Sequence, residues 1–139
     1  MGNLGIGVML NMIFGYGDSA ETFKAAQGKT IAALEMTKNQ PEALAITFTD
    51  GTGIMLFDDG QSCCEHRYMH TDDELGDFVG ATLVDAEVRP GPETESEWGE
   101  YKESEFLVVT TSIGQFTVVN YNEHNGYYGG FSVRCSAMS

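Results

Sequence analysis

Apolar residues recur at every second position through most of this chain. In the stretch TIAALEMT, Ala32, Leu34 and Met36 alternate with other side chains and predict a strand. Pro41 ends it. Leu44, Ile46 and Phe48 then alternate against Ala45, Thr47 and Thr49, a second strand. The sequence TDGTG at 49–53 turns the chain, because Asp50-Gly51 supplies the positive φ of a tight hairpin. Residues 54–57 are apolar on both faces, which predicts a central strand. In ATLVDAEV, Val84, Ala86 and Val88 face one way and Asp85 and Glu87 the other, the pattern of a half-exposed strand. Residues 105–121 predict two strands around a turn near 112–114, and GGFSVRC predicts a last short one.

Helix signals appear twice. Asp18 or Ser19 can cap a short helix over 18–27, with Gly28 to end it. The stretch 70–80 reads as a second one, capped by Thr71 or Asp72 and acidic in its first turn. Residues 89–104 hold Pro90, Pro92 and a run of glutamates, and predict a solvated excursion. The sum is a small α+β domain, its sheet mostly antiparallel, with about six to seven strands and two short helices. The expected division is an apolar arm and short helix over 1–27, followed by a single ligand-binding domain over 28–139.

Composition narrows the class. A chain of 139 residues with 42% apolar and 20% charged positions is an ordinary globular domain. The formal charge of −14 argues against a polymeric nucleic-acid binder, which needs clustered Lys and Arg. It leaves room for an acidic decoy that mimics nucleic acid toward a basic host protein. Cys63 and Cys64 are adjacent and Cys135 is distant, an odd set that suits a reducing cytoplasm. Residues 1–17 are apolar but carry five glycines, Asn3 and Asn11, and lack the basic start of a signal peptide. They are too short to span a bilayer, and Ile6 stands where myristoylation wants Ser or Thr. Met9 or Met12 could also be the start, and the arm is expected to pack on the domain or against another subunit.

Two stretches could carry chemistry. QSCCEHRYMH at 61–70 offers Cys63, Cys64, Glu65, His66 and His70, with His124 elsewhere. Neighbouring side chains on an extended chain point to opposite faces, and the C-x₂₋₄-C spacing of zinc sites is absent. A thiol or metal hydrolase built on Cys64, His66 and His124 is the enzymatic alternative, without a local signature to support it. The pairs Asp58–Asp59 and Asp72–Asp73 read as a turn and a helix cap. NEHNGYYGGF at 122–131 is the second stretch. Gly126, Gly129 and Gly130 permit close backbone approach, and Tyr127, Tyr128 and Phe131 offer flat faces to a purine. Asn122, His124 and Asn125 can read polar edges, and Arg67 and Arg134 can pair phosphates. The plain alternative is a bulged turn whose tyrosines finish the core.

These segments, DDGQSCCEHRYMHTDDEL and NEHNGYYGGF, with GKTI ahead of the first strand, resemble a phage and prophage family of small proteins with Cys-Cys-Glu and Asn-Gly-Tyr-Tyr-Gly signatures. That pattern is similar to the first Thoeris anti-defence family, the phage sponges, over about residues 28–135. The resemblance implies a non-enzymatic protein of the host bacterial cytoplasm that needs no cofactor. It would sequester a cyclic ADP-ribose isomer made by a TIR-domain enzyme, with cyclic oligonucleotides as a second ligand class. It also implies binding at subunit interfaces of a homo-oligomer, from a dimer up to a hexamer, without membrane contact. The ligand-binding set expected on this basis is Arg67, Asn122, His124, Asn125, Gly126, Tyr127, Tyr128 and Phe131, with Arg134 and Phe106 added as a nearby basic group and a stacking ring.

Overall fold

The computed structural model describes residues 18–39, 41–60, 65–96, 99–126 and 129–138. One helix, α1 (Asp18–Ala26), precedes eight strands: β1 (Ile31–Thr37), β2 (Ala43–Phe48), β3 (Gly53–Asp58), β4 (Glu65–His70), β5 (Leu83–Glu95), β6 (Tyr101–Thr111), β7 (Gly114–His124) and β8 (Val133–Ala137). They form two antiparallel four-stranded sheets, ordered β1-β2-β3-β8 and β4-β7-β6-β5. The architecture is therefore α+β and mostly antiparallel, with the strands shared between two sheets.

Both sheets contribute to one core. Leu44, Ile46, Ile54 and Leu56 of the first sheet join Leu83, Leu107, Val109, Phe116 and Val118 of the second, with Phe23 and Ala26 of α1. β3 lies between β2 and β8, which accounts for its apolar character on both faces. The helix packs chiefly against β8. Its Ser19 hydroxyl accepts the Cys135 N–H at 3.3 Å, so α1 covers part of an edge that would otherwise expose unpaired backbone. The helix thus packs into the domain core, and residues 1–17 of the expected arm lie outside the described residues.

Three expectations are corrected. The 70–80 helix is only a 3₁₀ turn, Leu75–Phe78. Neither Thr71 nor Asp72 caps it: Glu74 holds the N-cap position without a side-chain bond, and Asp72 pairs with His70 at 2.7 Å. β4 ends opposite Val119, and beyond that point the Thr71 hydroxyl donates to the Thr117 carbonyl while the Asp73 carboxylate accepts the Thr117 N–H. Those side chains are occupied in completing the edge of β7. The 89–104 excursion is instead a long hairpin, with Glu93 opposite Glu103, Thr94 opposite Lys102 and Glu95 opposite Tyr101. An edge strand tolerates Pro90 and Pro92, and a register shift between Pro90 and Glu93 absorbs them. Finally, Val84 points outward at 39% exposure, because a register shift between Leu83 and Asp85 breaks the alternation. Among the described residues, no helix is long and apolar enough to cross a membrane.

Candidate functional site

The sheet containing β4, β7, β6 and β5 has two chemically different faces at one end. Strand alternation places Asn120, Asn122 and His124 inward and Tyr121 and Glu123 outward on β7. The inward rows can be read from the register. Glu65, His124, Tyr101 and Glu95 form the outermost row. Arg67, Asn122, Glu103 and Glu93 form the next, and Met69, Asn120, Glu105 and Pro90 the third. Below them the rows become apolar, through Val118 with Leu107 and Phe116 with Val109. The two stretches selected from the sequence are therefore cross-strand neighbours, with Arg67 directly opposite Asn122.

Arg67 is the hub of the inner rows. Its guanidinium bonds both oxygens of Asp58 at 2.9 and 3.0 Å and both oxygens of Glu65 at 2.9 and 3.0 Å. Burial works against its charge, but the Glu65 hydrogen bond and the charge of Asp58 outweigh that and raise its pKa. Two carboxylates already neutralise it, so it is not the phosphate partner expected from sequence. Asp58 also accepts the N–H groups of Gly60 and Ser132 at 3.0 Å each, and Glu65 accepts Asn122 Nδ2 at 3.0 Å. Glu105 feels the remaining excess of negative charge. Burial first, then Asp58 and Glu103, push its carboxyl up to about 7.

His124 is tied from both sides. Its Nδ1 accepts the Gly126 N–H at 3.0 Å, so the ring proton sits on Nε2 and is donated to Glu103 at 3.0 Å. The ring stacks on Tyr101 with centroids 5.4 Å apart. Glu93, Glu103 and His124 bring potential ligand atoms within 4.8 Å of one another. A metal-bound histidine donates through its other ring nitrogen, whereas here that nitrogen accepts. The arrangement is a proton-bearing hydrogen bond rather than a metal ligand set. Glu103 also accepts the Gly130 N–H at 2.8 Å, folding the loop back over the histidine. Gly129 has φ +154, and a Cβ there would lie 2.8 Å from Glu103 Oε1 and 3.2 Å from His124 Nε2. Gly129→Ala is accordingly expected to lower stability by about 1–2 kcal/mol in a urea titration, through backbone strain and displacement of that bond.

The outer face is the more accessible one. Tyr68 lies opposite Tyr121, and their rings stack at 4.9 Å. His66 packs on Tyr68 at 4.9 Å, and Lys102 sits over the Tyr121 ring at 4.7 Å. Tyr68 donates to Glu123 at 2.6 Å, and burial, then that carboxylate, raise its pKa. Two hollows open at this end of the sheet, the smaller beside the tyrosine stack and the larger bounded partly by Glu65, Tyr101 and His124 of the outermost inward row. One, of about 550 Å³, is lined by His66, Tyr101, Lys102, Glu123, His124 and Asn125 among others. The other, of about 380 Å³, takes in Lys38, His66, Tyr68, His70, Lys102 and Tyr121. They share His66 and Lys102, so two of the chain's four lysines meet one aromatic platform.

The chain belongs to the DUF7448 family. The match to this domain of unknown function covers residues 24–133. It takes in β1 to β7 and the last turn of α1. No curated protein and no solved structure matches the chain significantly.

The sequence-based site set divides within this DUF7448 domain. His124 and Asn125 line the larger hollow, and Gly126 packs against the Tyr101 ring beside it. Asn122 is fully buried behind it. Phe106 is on the outer face, in the row of Val119 and His70, and lines neither hollow. Arg134 lies on β8 in the other sheet, paired with Asp59 at 2.9 Å, and Phe131 is half-buried outside both hollows. Tyr127, Tyr128, Cys63 and Cys64 lie outside the described residues. Cys135 is buried, with its thiol pushed up to about 12, and so is inert. Sequence reasoning missed Tyr68, Tyr121, Tyr101, Lys102 and Lys38. No local pattern marked them, since YKESE alternates polar with polar before the apolar half of β6 begins.

Proposed function

We propose that the protein is a non-enzymatic sponge that binds and sequesters a small signalling nucleotide, with a cyclic ADP-ribose isomer as the first candidate. One observation carries this reading: an otherwise acidic surface gathers Lys38, Lys102, His66 and His70 around the stacked Tyr68 and Tyr121 rings. A ring face needs a flat apolar partner, and phosphates need nearby cations. Both are present in the smaller hollow, which shares His66 and Lys102 with the larger one, and together the two offer room for a ligand of this class. The formal charge of −14 repels an anion at long range and slows its capture. At contact distance Lys102 over the Tyr121 ring and Lys38, exposed beside its own partner Glu42, act through far less screening than the net charge. The same reading places the protein in a bacterial host's cytoplasm as a homo-oligomer, where capture of the signal would silence an antiviral response.

Calorimetric titration with a cyclic ADP-ribose isomer tests it. Binding is expected in the wild type, with the ligand recovered chemically unchanged after heat denaturation. Tyr121→Ala combined with Lys102→Ala is expected to weaken binding by about 100-fold, from the loss of one stacking face and one cation. Undiminished affinity in a folded double variant would refute the assignment. Recovery of a cleaved product would make the protein an enzyme, the alternative built on residues 63–66 and His124.

A further inference from the structure

The inner polar rows contain an imbalance that the outer hollows do not address. Asn120 and Asn122 are both fully buried, and the Oδ1 atom of each has no hydrogen-bond partner among the described residues. Their orientation is not arbitrary. Asn122 Nδ2 spends its two protons on Glu65 Oε2 and the Gly130 carbonyl, both at 3.0 Å, so rotating the amide would set oxygen against two acceptors. Asn120 Nδ2 donates to the Glu105 carbonyl at 3.4 Å. Both unpaired oxygens therefore belong to the inward side of β7, the side that Glu103 and Glu105 of β6 also face.

The surroundings supply acceptors where donors are needed. Glu103 stands opposite Asn122 and Glu105 opposite Asn120, and directly opposed residues of this kind have Cβ atoms about 4.5–5.5 Å apart. Four carboxylates, from Asp58, Glu65, Glu103 and Glu105, share the region with a single guanidinium, and Arg67 is already bidentate to two of them. Buried acceptors without donors are costly, and so is surplus buried negative charge. One positively charged occupant would relieve both. The set of oxygens is hard and free of nitrogen or sulfur, which selects a calcium- or magnesium-class ion over zinc or copper.

We propose that the inner face of this sheet binds one hard divalent cation through Asn120 Oδ1, Asn122 Oδ1 and the Glu105 carboxylate, with Glu103 supplying further negative charge. The ion would join β6 to β7 directly beneath His124. It would brace the floor of the larger hollow without contacting a ligand held in it. The site is separate from the Glu93–Glu103–His124 group, in which the imidazole is committed to Gly126 and Glu103.

The test begins with purified protein stripped by a chelator and dialysed into metal-free buffer. Millimolar Ca²⁺ or Mg²⁺ is then added during thermal unfolding and calorimetric titration. The expected result is binding of one ion per chain with a melting temperature raised by several degrees. Asn120→Leu keeps the side-chain volume and removes one ligand oxygen, and is expected to weaken the ion by about ten-fold or more while remaining folded. Glu93→Gln is expected to leave ion affinity unchanged. An unshifted wild-type melting temperature with both ions would mean that ordered water satisfies the two amides, and would overturn the site. An ion lost in Glu93→Gln but retained in Asn120→Leu would place it on the neighbouring acidic group, and would overturn it equally.

Discussion

Replacing Arg67 with alanine is expected to lower the unfolding free energy by about 3–5 kcal/mol. The guanidinium is 8% exposed and lies between carboxylates whose side chains are 5% and 1% exposed. Its removal leaves Asp58 and Glu65 charged, buried and without their common cation. Asp58 would keep two backbone donors, and Glu65 would keep Asn122. Neither set cancels a full charge. The loss should appear in urea unfolding as a lowered midpoint at unchanged slope, since the folded architecture is the same. The pair-breaking origin of the effect can be isolated. Arg67→Met combined with Asp58→Asn and Glu65→Gln removes all three charges together, and is expected to recover most of the loss. A single-variant loss below about 1 kcal/mol would mean that solvent reaches the cluster and screens it. Gly60 should report on the same cluster, because a Cβ at that position would strike the Arg67 guanidinium.

The sequence showed the strands more clearly than the place where they would meet. Alternation located β1, β2 and β7 because period two records a strand with a core-facing side directly, while β3 showed as an unbroken apolar run. It failed over 89–104 for a physical reason. There the hairpin extends past the core, so its inward positions are Glu93, Glu95, Tyr101 and Glu103 rather than aliphatic side chains. An alternation of polar with polar residues carries no hydrophobic signal. β4 was obscured in the same way, with buried Glu65 and Arg67 taking the positions where apolar residues would have marked a strand. The site suffered from the same blind spot. Arg67 looked like a free cation because its neutralising partner Asp58 is nine residues away on another strand. Tyr68, Lys102 and Tyr121 looked unrelated because the sheet order β4-β7-β6 gathers them on one face, and Lys38 reaches them from just past β1 in the other sheet, through its bond to the Met69 carbonyl. The segments 61–70 and 122–131 were chosen for their unusual composition, and their pairing across β4 and β7 is a property of register that no local pattern contains.

The boundary between arm and domain gives the other large effect. Phe23→Ala is expected to cost about 3–5 kcal/mol, because Phe23 is fully buried among residues of the core. The cost should exceed that of an isolated cavity. α1 holds β8 through Phe23, Ala26 and the Ser19 bond to Cys135, and among the described residues β8 otherwise pairs only with β3. A helix of nine residues has little stability of its own, so loss of its main anchor should release it as a unit. Hydrogen exchange would then show α1 and the Cys135 amide opening together, while β6 and β7 keep their protection. A shortened chain beginning at residue 28 should behave worse than the point variant, since it discards Phe23, Ala26 and Ser19 at once. If that shortened chain instead unfolds cooperatively at the wild-type midpoint, the helix is an ornament and the domain does begin at Gly28. The distinction matters for the site as well. β8 begins shortly after Gly130, whose N–H bonds Glu103, so an unanchored β8 loosens that bond beside His124.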